Sequence, residues 1–293
     1  MDAFSEADRR PSPQPEILPP GSWEPPRPVE EPRGWYPPPQ PPPRPPRRHW
    51  AHAPATYWLV GINCAVYLLT LFQSQSLVGP SFQDHLSEAL LLNGGLVLGY
   101  GQWWRVVSSM FTHFGWIHIG TNMWCLWNLG LLGEPLIGEF GMIAAYLLTG
   151  AAGNLLSIAV HPQIPGAGGI WSGGASGAVF GIAGVLLMVL RSPLLPIPPA
   201  ETKRLRRAVW QFALINFIID AGIWVAHTRL QIDNMAHLGG FLSGIVFGLP
   251  LLPRIGAPRS AFLRRRTFTV VAVSFALLLF AWWLRSFYAH AAG

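Results

Sequence analysis

Long apolar runs, broken by short polar or basic stretches, dominate the chain from residue 55 onward. A helix needs about 20 such residues to cross a ~30 Å hydrocarbon layer. Seven stretches approach or reach that length: 55–73, 116–133, 141–160, 174–191, 208–226, 234–252 and 268–285. The pattern therefore predicts an all-α polytopic membrane protein. The first stretch lies too far from Met1, behind too much proline, to be a cleaved signal peptide. Three segments follow from this layout: residues 1–54, a membrane core over 55–252, and 253–293, a basic loop with a seventh span.

The segment before the first span holds most of the chain's 29 prolines, including PPPQPPPRPPRR from Pro37 to Arg48. Such a composition cannot bury enough apolar surface to fold, so a disordered, partly polyproline-II cytoplasmic tail is expected. It reads as a solvated tether or as the ligand of a proline-reading cytoplasmic partner.

Only 12% of residues are charged, yet the net charge is +6. An excess of this sign suggests nucleic acid until the positions are considered. Arg44, Arg47 and Arg48 precede span one; Arg191, Lys203, Arg204, Arg206 and Arg207 lie between spans four and five; Arg254, Arg259, Arg264, Arg265 and Arg266 lie between spans six and seven. The alternate connections carry little beyond Arg105 and Arg229. The separation is a topology signal that puts the amino terminus in the cytoplasm and the carboxyl terminus outside. Nucleic-acid binding is set aside on that ground. The two cysteines, Cys64 and Cys125, fall inside spans, which predicts buried thiols and no disulfide framework.

Span four opens with GGASGAVFGIAG (Gly173–Gly184), one serine among glycines, and its direction places Ser176 near the outer end. Span six runs the same way from IDNMAHLGG (Ile232–Gly240), with His237 about 6 Å below a helix start at Asp233. Span two begins in HFGWIHIGTN (His113–Asn122), where His118 and Asn122 share one helical face. A serine, two histidines and an asparagine are thus expected at similar depth on three spans. Taken singly, a membrane serine usually bonds its own helix, and a histidine near a span end is usually interfacial. Together they suit acyl chemistry. Neutral imidazole can take a serine's proton, and an oxyanion needs aimed donors, which a helix start and the His118 and Asn122 side chains offer. Gly177, Gly181, Gly184, Gly240 and Gly244 read as packing residues that bring span four against span six. The Gly-x-Ser-x-Gly elbow of α/β-hydrolases is absent, since Ala178 occupies its last position.

These motifs resemble those of the rhomboid intramembrane serine proteases. WWR (Trp103–Arg105), HFGWIHIGTN, Gly133–Glu134 after span two, GASGAVFG (Gly174–Gly181) and AHLGG (Ala236–Gly240) occur in the family's order over roughly residues 55–252. The resemblance implies a six-helix core, here with one additional C-terminal helix, around a water-filled cavity open to the outer side. It implies Ser176 as nucleophile, His237 as general base and acid, and His118, Asn122 and the Ser176 N–H as the oxyanion hole. It implies a Ser–His dyad, with Trp104, Arg105 and Glu134 structural. The substrates implied are single-span membrane proteins, cut near the outer face of the bilayer. No metal or organic cofactor is implied. Arg-rich cytoplasmic faces and short loops suit a bacterial inner membrane. A catalytically inactive relative that binds membrane clients is the alternative, although such proteins are expected to lack the Ser or the His. Two carboxylates compete for a third role. Asp220, inside span five, reads as a structural hydrogen-bonding group, and Asp233 as an N-cap or as an orienting partner of His237.

Overall fold

The computed structural model describes residues 53–74, 79–80, 84–161, 171–195, 197–225, 233–252 and 258–291, with backbone alone for 220–225 and 291. Residues 1–52 of the expected 1–54 tail and the Asp220 side chain lie outside the described residues, and Pro54 already belongs to the first helix. The helices are α1 (Pro54–Ser74), α2 (His85–Leu90), α3 (Gly94–Tyr100), α4 (Arg105–Ser108), α5 (Gly115–Ile137), α6 (Glu139–Val160), α7 (Ser176–Val189), α8 (Pro199–Val225), α9 (Asn234–Gly248) and α10 (Arg259–Ala291). Among the described residues no strand forms; Leu92 and Ser172 make an isolated antiparallel bridge.

Each of the seven apolar stretches overlaps one α-helix, from 14 residues in α7 to 33 in α10. Four of these, α1, α6, α9 with its 3₁₀ extension to Leu251, and α10, are long and apolar enough to cross a membrane by length and composition. Several boundaries depart from expectation. Lys203–Arg207 and Arg264–Arg266 are not in loops but in the first turns of α8 and α10. Lys and Arg are good helix formers, so the helix continues past the apolar run and carries its cations with it. Gly133–Glu134 likewise lies inside α5 rather than after it. Both cysteines are free, as expected, but half-buried rather than buried.

The centre of the bundle is α7, whose residues Gly177 to Val189 are all buried. A helix that is apolar all round belongs in the interior. Its most extensive neighbour is α9, and α6 packs closely on both. The glycines explain the approach. A Cβ at Gly240 would be driven into the Gly177 carbonyl, and one at Gly244 into the Gly181 carbonyl. Gly153 on α6 lies equally close against the Ala236 carbonyl. The packing role expected of Gly184, Gly240 and Gly244 is what the α7 and α9 backbones require, whereas Gly181 makes room for the Thr149 side chain of α6 and Gly177 lies less tightly against Ala236.

Buried polar groups fix the other elements. The Glu134 carboxylate accepts from Ala55 N at 2.9 Å, Thr56 N at 2.7 Å and Thr56 Oγ1 at 2.7 Å. A residue of α5 thus caps the first turn of α1, where free N–H groups and the helix dipole favour an anion. Arg105 is buried and donates to Gln102 Oε1 at 2.6 Å, to Leu91 O at 2.8 Å and to Glu88 O. At the far end, Arg266 donates to Ile137 O at 2.9 Å, while Arg265 donates to Pro250 O and Leu252 O at 3.1 and 2.9 Å. The seventh helix thereby satisfies carbonyls that the ends of α5 and α9 leave open.

Candidate active site

Ser176 is the first residue of α7, and the chain enters it through a constrained turn. Gly174 has φ +131°, a conformation L side chains rarely adopt, and a Cβ there would meet His118 Nε2 at 2.8 Å and Ser176 Oγ at 3.8 Å. His118 Nε2 and Ser176 Oγ therefore approach the same open side of Gly174. The Gly174 N–H donates to Ser109 O at 2.9 Å, and the Ala175 N–H to His113 Nε2 at 3.2 Å. The next N–H groups, those of Ser176 and Gly177, stand in the first turn of α7, where helix geometry provides no intrahelical acceptor.

His118 lies in the first turn of α5, and its Nδ1 accepts the Phe114 N–H at 3.3 Å. An imidazole nitrogen that accepts carries no proton, so the neutral ring presents Nε2–H toward Gly174 and Ser176. Asn122 is buried one turn on and donates one amide hydrogen to His118 O at 2.9 Å. Its second amide hydrogen remains for another acceptor.

His237 stands in the first turn of α9, buried, with its ring stacked on Phe180 at 4.6 Å and 22°. Phe180 follows Ser176 by one helical turn, so the two share a face of α7 and the imidazole is held against that face. Asp233 caps α9: its Oδ1 accepts the Ala236 N–H at 2.9 Å. Its Oδ2 accepts from Ser157 Oγ of α6 at 2.6 Å. Both carboxylate oxygens are thus engaged in placing the helix that carries the imidazole, as an N-cap requires.

Ser176, His237, His118 and Asn122 together line one cavity of about 200 Å³, with Asp233 also in its lining. The four groups expected at one depth are therefore brought to one space. A second cavity, about 730 Å³ and mostly apolar, opens between α5 and α8 and shares Cys125 and Phe212 with the first. Three residues escaped the sequence reading: His113, Phe180 and Ser157. Phe180 carried a signal in its i+4 spacing from Ser176. His113 and Ser157 meet their partners only across long sequence separations.

This geometry defines a helical membrane protein with a serine, an imidazole and several donors around a recessed cavity. The family model for the rhomboid domain matches residues 100–254, more than half of the chain, which therefore belongs to the rhomboid family. Rhomboid protease GluP of Bacillus subtilis (strain 168) is 30% identical over 221 residues, covering 75% of this chain and 39% of that protein. Rhomboid protease AarA of Providencia stuartii is 27% identical over 232 residues, 75% of this chain and 79% of its own. The chloroplastic Rhomboid-like protein 11 of Arabidopsis thaliana is 28% identical over 207 residues, 68% of this chain and 66% of its own. The chain thus spans less than two thirds of the length of several curated relatives it matches.

Proposed function

We propose that this integral membrane protein is a serine endopeptidase that cleaves membrane-spanning substrates near the outer face of the bilayer. The observation that carries the reading is the convergence of Ser176, His237, His118 and Asn122 on one small cavity. In the proposed reaction Ser176 Oγ attacks the substrate carbonyl carbon while its proton passes to His237. The tetrahedral oxyanion takes hydrogen bonds from His118 Nε2–H, the Asn122 amide and the Ser176 N–H. Collapse breaks the C–N bond as His237 protonates the leaving amine. Water, deprotonated by His237, then releases the acyl group and restores the Ser176 hydroxyl. The proposed pair is Ser176 with His237, and Asp233 holds the cap of α9 and accepts from Ser157.

Depth follows from length. At 1.5 Å per residue the 14 residues of α7 span about 21 Å, well short of a ~30 Å hydrocarbon layer. With the basic ends of α8 and α10 at the cytoplasmic surface, Ser176 lies below the outer surface, within reach of a locally unwound substrate helix. The apolar cavity between α5 and α8 adjoins the small one and gives such a helix a lipid-side approach. The protease core is assigned to residues 55–252, the amino terminus to the cytoplasm and the carboxyl terminus to the outside, in a bacterial inner membrane. The deciding experiment is cleavage of a single-span reporter in liposomes, wild type beside Ser176→Ala, with fluorophosphonate labelling in parallel. Cleavage and labelling that both vanish with the serine support the enzyme. A wild type that does neither points to a client-binding relative.

A further inference from the structure

We infer that His113 is a positioning residue for the nucleophile, its Nε2 serving as the acceptor that aims the Gly174–Ala175 peptide and with it the start of α7. This inference rests on the proposed role of Ser176. Five observations lead to it. His113 is fully buried, although histidine has a polar ring that costs free energy to remove from water. Its Nε2 accepts the N–H of Ala175, the residue immediately before Ser176, at 3.2 Å. Its ring lies edge-on to that of His118 at 5.1 Å, so one side touches the proposed oxyanion donor and the other the nucleophile turn.

The fourth observation is that the base from which His113 reaches is itself anchored. On α6, Asn154 Nδ2 donates to Val106 O at 2.8 Å and to Ser109 Oγ at 3.0 Å. The Tyr146 hydroxyl donates to Met110 O at 3.0 Å and accepts from Asn63 Nδ2 at 3.0 Å. Residues 106–110 are thereby fixed to α6 and α1, and His113 extends that fixture to α7. The fifth concerns the turn. Gly174 sits at positive φ, and both peptide N–H groups flanking its α-carbon are held from the 109–113 segment, one by Ser109 O and one by His113 Nε2. Glycine alone leaves such a turn conformationally free; two acceptors on a rigid support remove that freedom. The direction of the Ser176 N–H and Oγ follows from the turn, and small misplacements of reacting groups cost rate steeply.

The test uses the full-length protein in liposomes with three variants. His113→Leu fills the volume without an acceptor; His113→Asn keeps a polar amide too short for the Ala175 N–H; His113→Gln places an amide oxygen near the Nε2 position. Measured are kcat and KM on a single-span reporter, the fluorophosphonate labelling rate, and hydrogen exchange of the peptide spanning residues 171–177. Expected is a fall in kcat and labelling of about tenfold or more for Leu and Asn, with KM within about twofold. Exchange at the Ala175 amide should rise in the same two variants, and Gln should recover most of each loss. A Leu or Asn variant with wild-type kcat, labelling and exchange overturns the inference, as does a Gln variant no better than Asn. Should the Leu variant fail to fold, the Asn and Gln pair decides by the same comparison. A wild type that neither cleaves nor labels overturns the proposed function, and the positioning role with it. Loss on Ser176→Ala combined with an indifferent His113 overturns the positioning role alone.

Discussion

The two sides of α7 are built differently. Toward α6 and α9 the bundle is closed to backbone contact: Gly153, Gly240 and Gly244 leave no room for a methyl group. Toward α5 and α8 it is loose, with a cavity of about 730 Å³ between them and large apolar side chains such as Trp124 and Trp210 exposed to the surroundings. Ser176 and His237 are carried by the tight pair, α7 and α9, whereas the proposed oxyanion donors His118 and Asn122 stand on α5, at the loose border. The proposed reaction needs a nucleophile and base held rigidly and a way in for a bulky helix from the lipid. Opposite sides of one buried helix would divide those two demands.

The largest expected effect is on the tight side. Ser176→Ala and His237→Ala should each lower reporter cleavage by roughly 10⁴-fold or more, because the two act as a unit. Their thermal unfolding should match wild type. A His237→Ala variant retaining a tenth of the activity would remove the general base from the account.

A direct contrast of the two sides comes next. Gly240→Ala adds a methyl group against the Gly177 backbone, which cannot swing aside. It should cost about 1–3 kcal/mol or more of stability by overpacking, and activity should fall with it. Ala208→Phe, facing the large cavity, should leave stability within about 1 kcal/mol while raising KM for a membrane-spanning reporter. Equal destabilisation by the two would erase the proposed difference between the sides.

At the border between them, Asn122→Ala removes one of the several proposed oxyanion donors. Loss of such a donor typically costs about 10²–10³ in kcat, and the remaining His118 and Ser176 donors should keep the effect at or below that range. Wild-type kcat in this variant would take Asn122 out of the oxyanion hole.

How much of this was legible in the sequence divides along similar lines. The spans were readable because each is a continuous apolar run, and counting residues along the helices put Ser176, His118, Asn122 and His237 at matching levels, in keeping with the one cavity they line. The α7–α9 contact was foreshadowed by glycines at matching spacing on both. Helix ends were not, since Lys203–Arg207 and Arg264–Arg266 are cationic enough to suggest loops yet helical enough to extend α8 and α10. Long-range polar pairing was not readable either. Ser157 with Asp233 and His113 with Ala175 join positions 76 and 62 residues apart, and no local pattern announces such a partner.

The smallest effect, and the most selective, concerns pH. Burial, reinforced by the neighbouring His118, pushes the His113 imidazole down to about 3, with the Phe111 carbonyl pulling weakly the other way. In the unfolded chain the ring titrates near 6.5. Between those values the unfolded state binds a proton that the folded state refuses, so stability is complete above about pH 6.5 and is lost as pH falls toward 3. At pH 5 the loss from this one group is about 2 kcal/mol. Other groups titrate over the same window, so the measurement is a difference: unfolding midpoints of wild type and His113→Gln in detergent at pH 7.5 and pH 5. Glutamine stays neutral throughout, and the variant should lose less stability than wild type on acidification. Equal losses would mean that Nε2 takes its proton, and so ceases to accept from Ala175, at no cost to the fold. The acceptor would then not be what holds the turn before Ser176, and the tight side of α7 would owe its geometry to the glycine contacts alone.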